Sequence, residues 1–136
     1  MQLNPYLFFN GQCEAAFKFY EKVLGGKIEA MMPHEGTPAA DQVAAEWRGK
    51  IIHARLSVGD KLLMGSDAPP DHYEKMQGFS VTLGIGSPTD AERIFNALAE
   101  RGTVRMPFQK TFFAERFGMT VDQFGTPWMI LCAQAG

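Results

Sequence analysis

The 136-residue sequence has few of the features that mark a metal-binding, secreted or nucleic-acid-binding protein. It contains two cysteines, Cys13 and Cys132, whose spacing matches no common metal motif. Its formal net charge is -2, and no run of lysine or arginine exceeds a pair. Because binding to a phosphate backbone needs clustered cations, we expect no nucleic-acid partner.

Long hydrophobic runs are also missing. No segment approaches the roughly 20 apolar residues that a membrane span needs, and no basic stretch followed by an apolar run marks an export signal. We therefore expect no membrane partner and a cytoplasmic location, where both thiols stay reduced.

What the sequence does contain is an internal repeat. Residues 6–25 and residues 79–102 each read as a strand, a turn, an amphipathic helix and a glycine. Four apolar positions of the first helix recur 78 residues later: Cys13, Ala16, Phe17 and Tyr20 correspond to Ala91, Ile94, Phe95 and Leu98. The pattern predicts one α+β domain spanning residues 1–136, in which two βαβββ repeats (residues 1–66 and 77–136) are joined by a linker (67–76) and form cupped mixed sheets.

Local signals refine this prediction. The nearly continuous apolar run at residues 3–9 predicts a first strand that is covered on both faces, and a helix follows from about residue 12 to 24. Alternation over residues 51–58 predicts a strand that carries His53 and Arg55 on one face. In the second repeat, Ser87 and Pro88 indicate the N-cap and first residue of a helix that runs to Gly102. Residues 111–121 are expected to form a strand.

Several segments together resemble a known group. They are Pro5-Tyr6-Leu7-Phe8-Phe9-Asn10-Gly11, Ile52-His53-Ala54-Arg55-Leu56, Gly59-Asp60, Ser66-Asp67-Ala68-Pro69-Pro70, and Asp122-Gln123-Phe124-Gly125 with Trp128-Met129. In this order they resemble the PhnB-like proteins of the vicinal oxygen chelate superfamily, which includes glyoxalase I, bleomycin-resistance proteins and extradiol dioxygenases. The resemblance implies a homodimer with U-shaped clefts that hold a divalent metal or a small-molecule ligand. Many such proteins are labelled 3-demethylubiquinone-9 3-methyltransferase-like.

The resemblance also assigns positions for the metal ligands. In this sequence these positions hold Pro5, Leu63 or Met64, Phe79 or Ser80, and Met129. Superfamily metal sites use imidazole and oxygen ligands, so we expect no metal and no other cofactor here. A metal site built from differently placed ligands remains the alternative. The methyltransferase label lacks support, because Gly84-Ile85-Gly86 is too short for a nucleotide-binding loop.

His53 and Glu115 are the candidate catalytic residues. His53 would act as an acid, a base or a hydrogen-bond donor in a cleft, and the alternative is a histidine packed in the sheet or at a dimer contact. Glu115 would act as a base, and the alternative is an ion pair with Arg116. The candidate ligand-binding residues are Arg55, Phe8, Trp47, Phe79 and Met129. Arginines on strands, including Arg105, would bind an anion by bidentate contacts or form ordinary surface ion pairs.

Cys13 falls in the first turn of the first helix. The helix dipole would lower the pKa of a thiol there and make it reactive. Its position on the apolar stripe instead favours a small buried hydrophobe.

Three functions remain open at this point. The favoured one is the binding of a small organic molecule in a metal-free cleft. The alternatives are an enzyme, such as a lyase or isomerase, with a non-standard site around His53, and a metal-dependent enzyme of the superfamily.

Overall fold

The computed structural model describes residues 1–133, and its elements form two compact units, Met1–Glu74 and Lys75–Gly136. Each unit contains one helix and one four-stranded mixed sheet. In both units the elements follow the order βαβββ. The α+β class and the repeated module predicted from the sequence are therefore confirmed.

The first unit is built from one helix and four strands: β1 (Tyr6–Phe9), α1 (Cys13–Leu24), β2 (Lys27–Pro33), β3 (Ile51–Val58) and β4 (Lys61–Asp67). The strand order is β1-β4-β3-β2, with β1 parallel to β4 and the other pairs antiparallel. Two short 3-10 turns, Pro38–Gln42 and Ala45–Trp47, lie between β2 and β3.

The second unit repeats this plan with β5 (Val81–Gly84), α2 (Pro88–Ala99), β6 (Thr103–Gln109), β7 (Arg116–Val121) and β8 (Pro127–Cys132). Its strand order, β5-β8-β7-β6, matches that of the first unit position for position. Within residues 1–133, neither helix is long and apolar enough to cross a membrane.

Each helix packs on one face of its own sheet. All eight helix positions that correspond in the sequence repeat are buried. Glycines in the sheets let a phenylalanine approach the backbone: a Cβ on Gly65 would lie 2.9 Å from Phe17, and one on Gly118 would lie 2.7 Å from Phe95. Real Cβ atoms essentially never lie so close, so a larger residue at either position would force the ring or the sheet to shift.

The first strand differs from its prediction. It begins at Tyr6, not at residue 3, and only one of its faces is covered. Leu7 and Phe9 are each 1% exposed, whereas Tyr6 is 36% and Phe8 is 51% exposed. The expectation of two covered faces was wrong because the single helix of the unit covers one side only.

The start of the second helix is confirmed and its end is not. Ser87 is the N-cap, and its hydroxyl accepts a hydrogen bond from the backbone N–H of Asp90 at 3.3 Å. The helix ends at Ala99, before Gly102, and Arg101 takes the left-handed conformation with φ of 61°. A non-glycine residue therefore makes the reversal that Gly25, with φ of 71°, makes after α1.

Residues 111–115 form a turn instead of the predicted strand. The backbone N–H of Thr111 donates to the carbonyl of Ala114 at 3.2 Å, and the Thr111 hydroxyl accepts from the N–H of Ala114 at 3.1 Å. These two bonds close the turn, so β7 begins only at Arg116.

A buried carboxylate joins three elements of the first unit. Asp67, the last residue of β4 and the first of the predicted linker, is 3% exposed. Its Oδ1 accepts from the backbone N–H of Cys13 and its Oδ2 from that of Ile51, both at 2.9 Å. The N-cap residue of α1, Gln12, makes no capping bond through its side chain. Asp67 therefore supplies the missing cap from a distant strand and also fixes the start of β3.

The second unit has a comparable buried carboxylate in Asp122. One oxygen accepts from the backbone N–H groups of Phe124 and Thr126, at 2.8 and 3.1 Å, and the other accepts from the indole N–H of Trp128 at 2.8 Å. Trp128 is 1% exposed and belongs to the core.

Cys13 is buried and shows none of the properties of a reactive thiol. It is 0% exposed. Burial raises the pKa of its thiol far above the ordinary value, and the nearby carboxylates of Asp67 and Glu14 raise it further. The neutral thiol thus acts as a small core hydrophobe.

The Asp67 interactions predict a large effect of truncation. Asp67→Ala should lower the free energy of unfolding by about 3 kcal/mol, because two buried N–H groups lose a charged acceptor. Urea denaturation measures the change. Asp71→Ala, at a 79% exposed side chain, is the matched control and should change little. Equal stability of the two variants would contradict the role given to Asp67.

The burial of Cys13 predicts that its thiol reacts slowly with disulfide reagents in the native protein. In a Cys132→Ala background, native protein at pH 8 should react with a disulfide reagent only after denaturation, because the thiolate is the reactive form and is suppressed. Absorbance of the released thiolate follows the reaction. Rapid stoichiometric labelling of the native variant would show that Cys13 is accessible and ionised.

Candidate functional site

The face of the first sheet opposite α1 carries the largest group of sequence-predicted site residues. Residues paired across strands share a face, and Met64 is paired with both Tyr6 and Arg55. Alternation adds Phe8 and His53 to the same side. We call this set, Tyr6, Phe8, His53, Arg55 and Met64, the open face.

Aromatic side chains cluster on the open face. The Tyr6 hydroxyl and His53 Nδ1 form a hydrogen bond of 3.1 Å, and their rings stack with centroids 5.8 Å apart and planes 24° apart. The Tyr6 and Phe8 rings have centroids 5.0 Å apart. Because β4 lies between β1 and β3, the Tyr6 ring reaches over that strand to meet His53.

Arg55 stands on the open face beside apolar neighbours. It is exposed, and its cross-strand partners are Ala30 and Met64. Within residues 1–133 it makes no ion pair or side-chain hydrogen bond. The nearby carboxylate of Glu29 accepts from the Ser57 hydroxyl at 3.0 Å.

Trp47 lies elsewhere in the first unit, in the turn before β3. Its ring packs against the turn that precedes α1, with Cη2 3.5 Å from the position of a Cβ on Gly11. Lys50 joins the same contact by donating to the Gly11 carbonyl at 3.1 Å. The indole N–H of Trp47 is buried and has no partner among the residues described.

The remaining predicted residues belong to the second unit. Phe79 precedes β5 and is 45% exposed. Met129 is partly exposed in β8, paired with Thr82 and Met119, and its sulfur lies 3.8 Å from the Thr82 hydroxyl. Glu115 is half-buried and forms an ion pair of 3.4 Å with Arg116, the alternative considered for it from the sequence.

The contacts of two residues, Tyr6 and His34, were not predicted from the sequence. Tyr6 carries no local signal for its bond to His53, which is 47 positions away. His34 is 4% exposed, and its Nδ1 lies 2.8 Å from the carbonyl of Lys50. Because a carbonyl only accepts, Nδ1 carries the hydrogen, and His34 anchors the segment between β2 and β3.

The residues present do not fit the metal site of the resemblance. Among residues 1–133, no three His, Cys, Asp or Glu side chains come together in a way that could hold a metal ion. Of the positions assigned to ligands, Leu63 is 6% exposed and part of the core, and Met64 and Met129 offer only thioethers. Thioethers bind soft metals such as Cu(I), and neither they nor aliphatic side chains suit the hard divalent metals of the superfamily.

Comparison with known proteins identifies the relatives of this fold. The sequence model of the Glyoxalase/Bleomycin resistance protein/Dioxygenase superfamily matches residues 2–130. Protein YjdN from Escherichia coli is 33% identical, over 96% of this chain and 94% of its own.

Solved structures agree with the sequence match. Protein PA1353 from Pseudomonas aeruginosa is 48% identical over 99% of both chains, with a TM-score of 0.91. The PhnB protein from Bacillus cereus shares the fold, with a TM-score of 0.83 at 21% identity over 98% of this chain and 100% of that one. The chain therefore belongs to the Glyoxalase/Bleomycin resistance protein/Dioxygenase superfamily.

Proposed function

We propose that the open face binds a small organic molecule without the help of a metal ion or other cofactor. The observation that carries this proposal is the cluster of Tyr6, Phe8 and His53, in which the exposed Phe8 ring lies beside a hydrogen-bonded phenol–imidazole pair. Ligand sites typically combine apolar walls with a few well-placed polar groups.

The exposure of Phe8 supports this proposal. Its side chain is 51% exposed although it lies on a strand whose alternate residues are almost fully buried. Covering such a ring with a flat ligand is favourable by about 25 cal/mol for each Å² of apolar surface removed from water. Apolar side chains on the other face of the sheet are already removed from water, because they pack against α1.

A metal-free mechanism of binding follows from the chemistry of the residues available. His53 donates or accepts through its ring nitrogens, and Arg55 donates through its guanidinium. The assigned metal positions hold proline, aliphatic, thioether, phenylalanine or serine side chains, and none of these is an imidazole or a carboxylate. These groups orient a ligand by hydrogen bonds rather than by chelation.

A second candidate function is an enzyme of lyase or isomerase type centred on His53. The Tyr6–His53 hydrogen bond favours it, because a phenol held against an imidazole is suited to proton transfer. Formation of a product from a bound compound distinguishes this enzyme from a binding protein.

The proposed setting is the cytoplasm, and the proposed assembly is a homodimer. Both cysteines are free and buried, as suits a reducing compartment. The dimer rests on the family resemblance, and large side chains such as Phe112, 93% exposed, offer apolar surface for it. Light scattering of the purified protein should give twice the mass of 15.1 kDa, and a purely monomeric mass would remove this proposal.

Binding on the open face predicts a specific mutant effect. The neutral fluorescent probe N-phenyl-1-naphthylamine should bind the protein, and Phe8→Ala should weaken binding roughly tenfold, because about 1.4 kcal/mol of ring contact is lost. Fluorescence titration measures the dissociation constants.

Phe112→Ala is the control, because it removes a phenylalanine of the second unit that is more exposed than Phe8, 93% against 51%. Its affinity for the probe should equal that of the wild type. A probe that fails to bind, or that responds to Phe112→Ala and not to Phe8→Ala, would contradict a ligand site on the open face.

A further inference from the structure

Building on the proposed function, we infer that the ligand of the open face is an organic anion with a flat apolar body. Its carboxylate, or a similar anionic group, binds to Arg55 and to Nε2–H of His53. Its body lies on Phe8 and Met64. Tyr6 acts as a positioning residue that fixes which ring nitrogen of His53 carries the hydrogen.

The guanidinium of Arg55 is available for an anion. The five ion pairs of residues 1–133 involve other cations, namely Lys18, Lys61, His72, Arg93 and Arg116. Alanine and methionine flank Arg55 across the sheet. A planar guanidinium between apolar side chains favours bidentate recognition of a carboxylate, because its fork of donors matches the two oxygens.

Few carboxylates lie near Arg55 to compete with an incoming anion. Neither β1 nor β3 contains an acidic residue. The carboxylate of Asp67 in β4 is buried and bonded to two backbone N–H groups. Glu29 in β2 bonds to Ser57. An anion that approaches Arg55 therefore meets one exposed carboxylate of the sheet, and that carboxylate already has a partner.

His53 adds a second donor at a suitable distance. Residues two apart on a strand point to the same face and are separated by roughly 6–7 Å. A phenol hydroxyl donates a hydrogen bond more readily than it accepts one, which assigns Tyr6 as the donor to Nδ1. In a neutral imidazole the hydrogen then resides on Nε2, which becomes a donor toward the ligand. Two hydrogen-bond donors, the Arg55 guanidinium and Nε2–H of His53, thus lie along one strand with aromatic surface beside them.

The matched probes 1-naphthoate and 1-naphthamide test the charge preference, because they share an apolar body and differ in the anionic group. Isothermal titration should show naphthoate binding about tenfold more tightly to the wild type. Arg55→Met should abolish this difference by weakening naphthoate alone, and Arg55→Lys should restore part of it. Arg105→Met, at an exposed arginine of β6, is the control and should leave both affinities unchanged.

The outcomes separate this inference from the proposed function. Equal affinity for the two probes in the wild type, or an equal loss of both in Arg55→Met, overturns the anion preference and leaves ligand binding intact. Binding of neither probe overturns both.

The role of Tyr6 has its own spectroscopic readout. Long-range ¹H–¹⁵N spectra of the three histidine rings should show His53 with its hydrogen on Nε2, and Tyr6→Phe should produce a mixture of tautomers. The same variant should weaken naphthoate binding several-fold. Wild-type His53 with its hydrogen on Nδ1 would overturn the positioning role.

Discussion

The first unit depends on one buried interaction, the pair of hydrogen bonds that the Asp67 carboxylate accepts. It connects β4 to the first residue of α1, 54 positions away, and to the first residue of β3, 16 positions away. The start of β3 is two residues from His53, so the same carboxylate that caps the helix also holds the strand that presents the candidate site. A charged acceptor suits this place because the N-terminal end of a helix carries partial positive charge.

A second constraint follows from there being one helix for each four-stranded sheet. A helix covers one face, and Gly65 and Gly118 let Phe17 and Phe95 close that face tightly. Side chains on the opposite face are not covered by the helix of their unit. In the first unit these side chains include two aromatic rings, a histidine and an arginine without an ion pair among residues 1–133. Exposed apolar surface of this kind often marks an interaction site, and the ligand site that we propose uses this face.

The sequence predicted what local periodicity controls. The repeat of apolar positions identified both buried helix faces, and Ser87-Pro88 identified the start of α2. Both signals are local, because a helix cap or a helix face is determined by residues close together in the sequence. It did not predict Asp67, which was assigned to a linker, or the Tyr6–His53 bond, because both join residues far apart in sequence. The run at residues 3–9 misled for another reason: apolar side chains on a strand show that burial is possible, not which face receives a helix. His53, Arg55 and Phe8 were named as candidates, and their common face follows from strand alternation, whereas Trp47 packs against a turn.

The open face of the first unit is the proposed ligand site. Its most direct test is a ¹³C-methyl spectrum of the eight methionines, recorded during titration with 1-naphthoate. The signal of Met64, which lies between Tyr6 and Arg55, should shift first and most, because the ring current of the ligand acts on the methyl group that it covers. Shifts confined to methionines of the second unit, such as Met106, with Met64 unchanged at saturation, would contradict it.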